Sequence, residues 1–419
     1  MTKTKHHPLV PKLRFPEFQN DGAWEENKLI DTADKSIKWS FIGGPFGSNL
    51  KSSDYVSDGI RIIQLQNIGD AEFLNEYRIF TSREKADELL SNNIYPGDII
   101  LSKMGDPVGR ACLIPNFHSR YVMCSDGIRL AVNEKENSKY FVFSLINSPA
   151  FRSSVKNAST GSTRKRIGLD KLKNLAVFLP KKPEQQKIAN CLGSLDELIA
   201  AHCARLDALQ DHKKGLLQQL FPAEGQTTPN LRFPEFEDAG EWETPPLRKA
   251  CLMKAGKFVK AADIYENPEE SLYPCYGGNG LRGYTTTYTH EGSYSLIGRQ
   301  GALCGNVQFV TGRFHATEHA IVVDPAKNVR SDWLYFALTV LKLNRFATGQ
   351  AQPGLSVDVL ERIPITIPSR PEEQQRIADC LSSLDSLITA QAEQIAALKE
   401  HKKGLMQQLF PGAEVRSEK

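Results

Sequence analysis

The sequence predicts an α+β fold in which two strand-rich α/β globules are separated by two long, antiparallel coiled-coil helices, with an internal pseudo-two-fold repeat. Three observations carry this. Leu13-Arg14-Phe15-Pro16-Glu17-Phe18, followed by Trp24, returns as Leu231-Arg232-Phe233-Pro234-Glu235-Phe236, followed by Trp242, at an offset of 218. Ile188 to Phe221 aligns without gaps to Ile377 to Phe410 at an offset of 189, with 21 of 34 positions identical. Both of these longer segments carry leucine or isoleucine at alternating three- and four-residue steps, the mark of a helical seam.

The two offsets differ by 29, so the first copy holds about that many additional residues between its hexapeptide and its helix. The order globule, helix, globule, helix gives expected boundaries of 1–182, 183–222, 223–370 and 371–411, with a tail at 412–419. The first globule opens with Gly43-Gly44-Pro45-Phe46-Gly47-Ser48-Asn49-Leu50-Lys51 and continues in alternating stretches such as Ile60 to Gln66, so turns and strands dominate. Its landmarks Lys103-Met104-Gly105, Gly109 and Thr160-Gly161 resemble Arg299-Gln300-Gly301, Gly305 and Thr348-Gly349 in the second globule.

Each helix follows an extended apolar stretch ending in proline, at Pro180 and Pro368. Pro183 and Pro371 suit a first helical turn, Glu184, Glu372 and Glu373 complement the positive end of the dipole, and Ser369 with Glu372 fits a capping box. The first seam runs through Leu192, Leu195, Ile199, Leu206, Leu209, Leu216 and Leu220, with His202 and Lys213 in its gaps. The second runs through Leu381, Leu384, Ile388, Ile395, Leu398, Leu405 and Leu409, with Gln391 and Lys402 in the same gaps. A single narrow stripe on a helix of roughly 55 Å needs a partner, and the repeat supplies one. His202 and Gln391 are read as register devices. The same stripe is also what an ordinary dimerisation coiled coil would show. Ile188, Leu198 and Leu217, off the seam, would suit docking by another protein's helices.

The formal charge of +3, from 52 basic and 49 acidic residues, does not announce a nucleic-acid binder, so any such surface must be a local cluster. The basic start Met1 to Pro8 lacks an apolar stretch and is not read as a secretory signal. With no apolar run long enough to span a membrane, the protein is expected to be cytoplasmic. Eight cysteines without a C-x-x-C pair read as reduced, mostly buried thiols rather than a zinc site or disulfide framework. His315-Ala316-Thr317-Glu318-His319 spells H-x-x-E-H, but Gly312 and the run Ala320 to Val323 place it at a strand leaving a turn, where a metalloprotease would need a helix. No G-x-x-x-x-G-K-[ST] loop occurs, and the G-x-G-x-x-G spelled by residues 278–283 is not read as a dinucleotide fingerprint. The chain therefore reads as non-catalytic, with no catalytic, cofactor or metal residues of its own.

The globules offer candidate contacts to bases and phosphates. Ser48, Asn49, Lys51 and Lys103 in the first, and Asn279, Arg282, Tyr284 and Arg299 in the second, sit at glycine turns between strands. Arginine pairs with guanine, and Asn or Gln with adenine; simple hairpin turns would show the same glycines. Arg164-Lys165-Arg166 beside Thr160, Ser162 and Thr163 suits phosphates, or is a solvated charge run. Its counterpart is uncharged and offers Gln350 and Gln352.

Together with that order, Gly-Pro-Phe-Gly-Ser at 44–48, the Gly-Asn-Gly-x-x-Gly-Tyr run ending at Tyr284 and the Glu-Gln-Gln-x-Ile-Ala helix starts resemble type I restriction-modification specificity subunits over nearly the whole chain. The resemblance implies that each globule is a target recognition domain reading one half of a bipartite site in double-stranded DNA, and that the helices set the spacing and dock two modification subunits. It further implies that S-adenosylmethionine, ATP and magnesium belong to partners, the modification subunits and the ATP-driven restriction subunits, and not to this chain. Two rival classes remain: a recognition domain fused to its own methyltransferase or nuclease, needing a methyl-donor loop or carboxylate cluster, and a structural coiled-coil adaptor.

Overall fold

The repeated residues meet at buried nodes that tie helix ends to globules. The computed structural model describes residues 10–301, 303–349 and 353–411, which divide into two compact units. One comprises the described residues up to His202 and those from Gln394 onward; the other is Cys203–Glu393. Each unit thus holds one globule and half of each long helix.

The first unit runs through β1 (Glu25–Lys28), β2 (Phe41–Gly43), β3 (Tyr55–Val56), β4 (Ile60–Ile63), β5 (Ile79–Thr81), α1 (Arg83–Glu88), β6 (Asn93–Ile94), β7 (Ile99–Ser102), β8 (Met104–Gly105), β9 (Ala111–Leu113), β10 (Tyr121–Met123), β11 (Gly127–Leu130), α2 (Lys139–Asn147), α3 (Pro149–Ala158), β12 (Lys165–Arg166), α4 (Leu169–Lys173) and β13 (Ala176–Leu179) into the 39-residue α5 (Lys182–Leu220). The second runs through α6 (Leu247–Ala250), β14 (Cys251–Ala255), β15 (Tyr273–Gly277), β16 (Gly280–Thr285), β17 (His290–Gly298), β18 (Val307–Ala316), β19 (Ala320–Pro325), α7 (Ser331–Val340) and α8 (Val357–Leu360) into the 39-residue α9 (Pro371–Leu409), which passes on into the first unit.

Strand for strand, the second globule repeats a four-stranded sheet of the first. The order β2-β11-β7-β9 recurs as β14-β19-β17-β18, with the same register: Gly43 opposite Ile128, Gly127 opposite Ser102 and Leu101 opposite Ala111 become Ala255 opposite Ile321, Ala320 opposite Gly298 and Ile297 opposite Val307. The parallel pairing of Ile63 with Met123 likewise becomes Tyr276 with Ala316. In the second unit the ten-residue β18 serves both pairings, giving one six-stranded sheet, whereas in the first Ile114–Arg120 leaves the sheet and splits it in two. The offset between equivalent residues falls from 213 at Ile63 and Tyr276 to 196 at Ser102 and Gly298, so 17 of the 29 additional residues lie in the stretch that forms α1 and β6.

Glu184 is 1% exposed and receives Arg14 through Nε at 2.8 Å and Nη2 at 2.6 Å, together with the indole N–H of Trp24 at 3.3 Å. Glu373 receives Arg232 at 2.7 and 2.8 Å and Trp242 at 3.2 Å in the same way. The dipole role expected of these two glutamates is therefore secondary: each is a buried carboxylate that fastens the repeated hexapeptide to a helix start. Gln185 and Gln374 complete the fastening, accepting from the Ser138 and Arg330 backbone and donating to the Pro180 and Pro368 carbonyls. The tryptophans then close on the far ends of the helices. Trp24 packs edge-on against Phe410, the residue after α9, and Trp242 against Phe221, the residue after α5, with centroids 6.4 and 6.3 Å apart.

Within each unit the early part of one helix therefore lies beside the late part of the other, which makes the pairing antiparallel. Ile188 and Leu192 share the first core with Leu409 and Phe410; Ile377, Ala378 and Leu381 share the second with Leu220 and Phe221. The lysines that interrupt the seams have partners: Lys402 Nζ lies 2.5 Å from Asp196 Oδ1, and the repeat-related Lys213 Nζ lies 2.5 Å from Asp385 Oδ1. Burial, and then Asp196, push the Tyr140 phenol well above its ordinary range, so it stays neutral and donates to that carboxylate. Of the off-seam residues expected to be available for docking, only Leu198 faces solvent; Ile188 and Leu217 are taken up by the cores. No helix among the described residues is long and apolar enough to cross a membrane.

The anchors should dominate the stability of the helix-globule junctions. Glu184→Ala leaves Arg14 and Trp24 buried without their acceptor and should cost about 3–5 kcal/mol. Asp196→Ala, at a part-exposed pair, should cost about 1 kcal/mol or less. Thermal melts of the two variants check the ranking; equal melting temperatures would contradict it.

Candidate nucleic-acid interface

In the first unit, four segments distant in sequence converge on one edge of the four-stranded sheet. Lys103 N–H donates to the Asp126 carbonyl at 2.7 Å, and Ile167 N–H to the Lys103 carbonyl at 3.0 Å, so the β8 hairpin, the 124–127 turn and the 160–166 loop form one ridge. The Gly44–Lys51 turn joins it through Gly44 N–H on the Gly127 carbonyl at 2.8 Å. Gly44 is required there, because a Cβ would stand 1.7 Å from the Cys124 carbonyl oxygen. Asp126 pairs with Arg166 at 2.7 Å yet leaves the guanidinium side chain 51% exposed, so the carboxylate positions a cation that still faces solvent. Ser48, Asn49, Lys51 and Arg164 are exposed on this ridge, while Lys103 and Lys165 are half-buried.

The second unit builds the same edge with other side chains. Arg299 N–H donates to the His319 carbonyl and Leu355 N–H to the Arg299 carbonyl, both at 2.9 Å, matching the bonds at Lys103. Thr348 and Gly354 exchange backbone bonds as Thr160 and Arg166 do. The Gly256 N–H donates to the Ala320 carbonyl at 2.9 Å, and a Cβ there would stand 2.2 Å from the Ala316 carbonyl oxygen, so Gly256 is the counterpart of Gly44. The β15–β16 turn adds Asn279 and Arg282, which line a cleft with Gln300 and His319. Cys124 and Thr317, each bonding to the end of the parallel strand through the Ile63 and Tyr276 carbonyls, put Gln64 to Asn67 at the place of that turn in the first unit.

His315 lies on β18 and both ring nitrogens are engaged: Nε2–H donates to the Lys257 carbonyl at 3.1 Å, so Nδ1 accepts from the Thr287 hydroxyl at 3.1 Å. It holds the Gly256 turn in place. No group of three or more His, Cys, Asp or Glu among the described residues is arranged to hold a metal. Burial pushes the Cys112 and Cys251 thiols up to about 12, which leaves them unreactive.

An edge built twice on one backbone, with divergent side chains, is what the family comparison explains. A family model described as the type I restriction modification DNA specificity domain matches residues 49–211 and again 217–400. The chain belongs to this family. The Escherichia coli type I restriction enzyme EcoprrI specificity subunit is 45% identical over 164 residues, which cover 39% of this chain and 40% of that relative. The MjaVIII specificity subunit of Methanocaldococcus jannaschii is 23% identical over 387 residues, covering 86% of this chain and 84% of that one. The crystal structure of a type I restriction-modification system S subunit from M. genitalium superposes with a TM-score of 0.63 at 17% identity, covering 97% of this chain and 100% of that one, a likeness of fold.

In the first specificity domain the structure brings together Ser48, Asn49, Lys51, Lys103, Arg164, Lys165 and Arg166 as a single edge. In the second it brings together Asn279, Arg282 and Arg299, but Tyr284 sits within β16, its backbone paired with Tyr265, away from the turn. Gln350 and Gln352 lie outside the described residues. Sequence reasoning missed Asp126, Lys257 and His319, which join the edge through backbone bonds that no local pattern announces, and Gln66 and Gln300, the first exposed in the 64–67 turn and the second lining the cleft. The helix residues Leu195, Ile199, His202, Leu206, Leu209, Ile388 and Leu398 are half-buried along the seam, and Leu192, Leu381, Leu384, Gln391 and Ile395 are buried.

The close approach at Gly44 is directly checkable. Gly44→Ala should destabilise the first specificity domain by about 1–3 kcal/mol. Gly47→Ala, in the same turn with nothing within 4 Å of its Cβ position, should stay within about 0.5 kcal/mol of the parent in chemical denaturation.

Proposed function

We propose that this chain is the DNA-recognising, non-catalytic subunit of a type I restriction-modification complex, each specificity domain reading one half of a bipartite duplex target. The carrying observation is the duplicated edge: the same hydrogen-bonded frame holds a loop whose sequence carries three cations in one domain and none in the other. A constant frame with divergent side chains suits two different base sequences, since phosphate contacts fix position and side chains at base edges give specificity. Recognition in this reading lies within residues 1–182 and 223–370, while 183–222 and 371–411 set the spacing and dock two modification subunits. Those subunits bind S-adenosylmethionine and methylate; restriction subunits bind ATP and magnesium, translocate and cleave; the assembly works in the cytoplasm.

The test is co-expression with the modification subunit encoded beside this gene, followed by single-base mapping of adenine methylation in host DNA. Methylation at one two-part motif that disappears without this chain is expected; unchanged methylation and no stable complex would favour a coiled-coil adaptor. In the same complex, replacing Arg164, Lys165 and Arg166 by alanine should flatten the dependence of log affinity on log salt by up to about 3, at about 0.9 for each phosphate no longer neutralised. An unchanged slope would remove this loop from the interface.

A further inference from the structure

We propose that Phe46 and Phe258 are the paired apolar contacts through which the two specificity domains pack against DNA bases, one ring per half-site; this rests on the recognition reading above. They are the two most exposed large apolar side chains among the described residues, at 82% and 71%. They also occupy one structural position. Each lies two residues after the glycine whose N–H is bonded to the start of the central strand, at the Gly127 and Ala320 carbonyls, and whose missing side chain makes room for a backbone carbonyl. The local sequences, Gly-Pro-Phe and Gly-Lys-Phe, share too little to reveal this.

Three features point to DNA as the occupant. Both rings are surrounded by polar and cationic groups: Phe46 precedes Ser48, Asn49 and Lys51 on the ridge that carries Arg166, and Phe258 stands between the exposed Lys257 and Lys260. That setting complements a polyanion with apolar base faces and does not complement an apolar protein groove. Both turns are held in advance, by Asn49 N–H on the Phe46 carbonyl at 2.8 Å in one and by His315 on the Lys257 carbonyl in the other, so each backbone is ordered before DNA arrives. Finally, the glycine before each ring abuts a carbonyl, of Cys124 in one domain and Thr317 in the other, whose own residue is bonded to the strand end that leads into the turn with Gln66 or Asn279. A phenylalanine in a groove can meet a thymine methyl or wedge against a base step, and either use removes apolar surface from water.

The experiment uses the complex of this chain with its modification subunits and duplexes bearing the motif mapped by methylation, intact or with one half-site scrambled. Phe46→Ala and Phe258→Ala should each weaken binding to the intact duplex by roughly 5- to 100-fold, the range of aromatic stacking on a base, with an unchanged salt slope and melting temperature. Each defect should vanish on the duplex whose corresponding half-site is scrambled. Affinity within twofold of the parent for both variants would overturn the proposal while leaving recognition intact. Loss of complex assembly would assign the rings to a protein interface instead and overturn it equally. A parent complex without sequence preference would sink the recognition reading itself.

Discussion

A carboxylate taken out of water must find charge and hydrogen-bond donors or it destabilises the fold. At Glu184 that demand is met by a residue 170 positions earlier, Arg14, and by the Trp24 indole, and the solution is repeated at Glu373 with Arg232 and Trp242. Each node fixes the first turn of a long helix against the globule that precedes it. The same tryptophan then receives the phenylalanine that ends the other helix. Helix direction, helix register and globule attachment thus meet at one cluster per unit. The interhelical pairs Asp196 with Lys402 and Asp385 with Lys213 preserve the register further along the seam.

This arrangement accounts for which residues recur in the chain. The hexapeptide, the Glu-Gln-Gln helix start and the terminal Leu-Phe-Pro look like separate motifs in the sequence, yet Arg14, Trp24, Glu184 and Phe410 touch in one place, and so do Arg232, Trp242, Glu373 and Phe221. They are repeated because one joint is built twice. The edge residues face no such demand. Lys103 and Arg299 enter the frame through their backbone groups, which any residue supplies, so their side chains are free to differ between domains.

The same distinction explains what can be read from the chain alone. The duplication, the helices and their antiparallel pairing are legible because side chains carry them, as leucines at helical spacing and repeated charged and aromatic residues. Glu184 and Glu373 stand out in the sequence only as partners of the helix dipole, since the residues they bind lie far away along the chain. The sheet is legible only as strand-rich character. Its identical register in the two domains is a backbone property, and Ile99–Ser102 and Leu296–Gly298 share little that a sequence pattern detects. Lys103 and Arg299 can be matched through the glycines near them, whereas Gly256-Lys257-Phe258 carries no such signal.

Divergent recognition on a constant frame also constrains where variation can occur without loss of the fold. The additional residues of the first domain fall mainly between β4 and β7, where they form α1 and β6 beyond the shared four-stranded sheet, and their insertion leaves every pairing of that sheet unchanged. The 160–166 loop tolerates three cations where its counterpart is uncharged, because its position depends on backbone bonds between Thr160 and Arg166 and between Ile167 and Lys103. Gly44 and Gly256 are the exceptions: any side chain there meets a carbonyl oxygen fixed by the sheet itself. A turn held that rigidly, ending in an exposed aromatic ring in both domains, belongs to the constant part of this edge, while the described side chains around it form the part that differs between the domains.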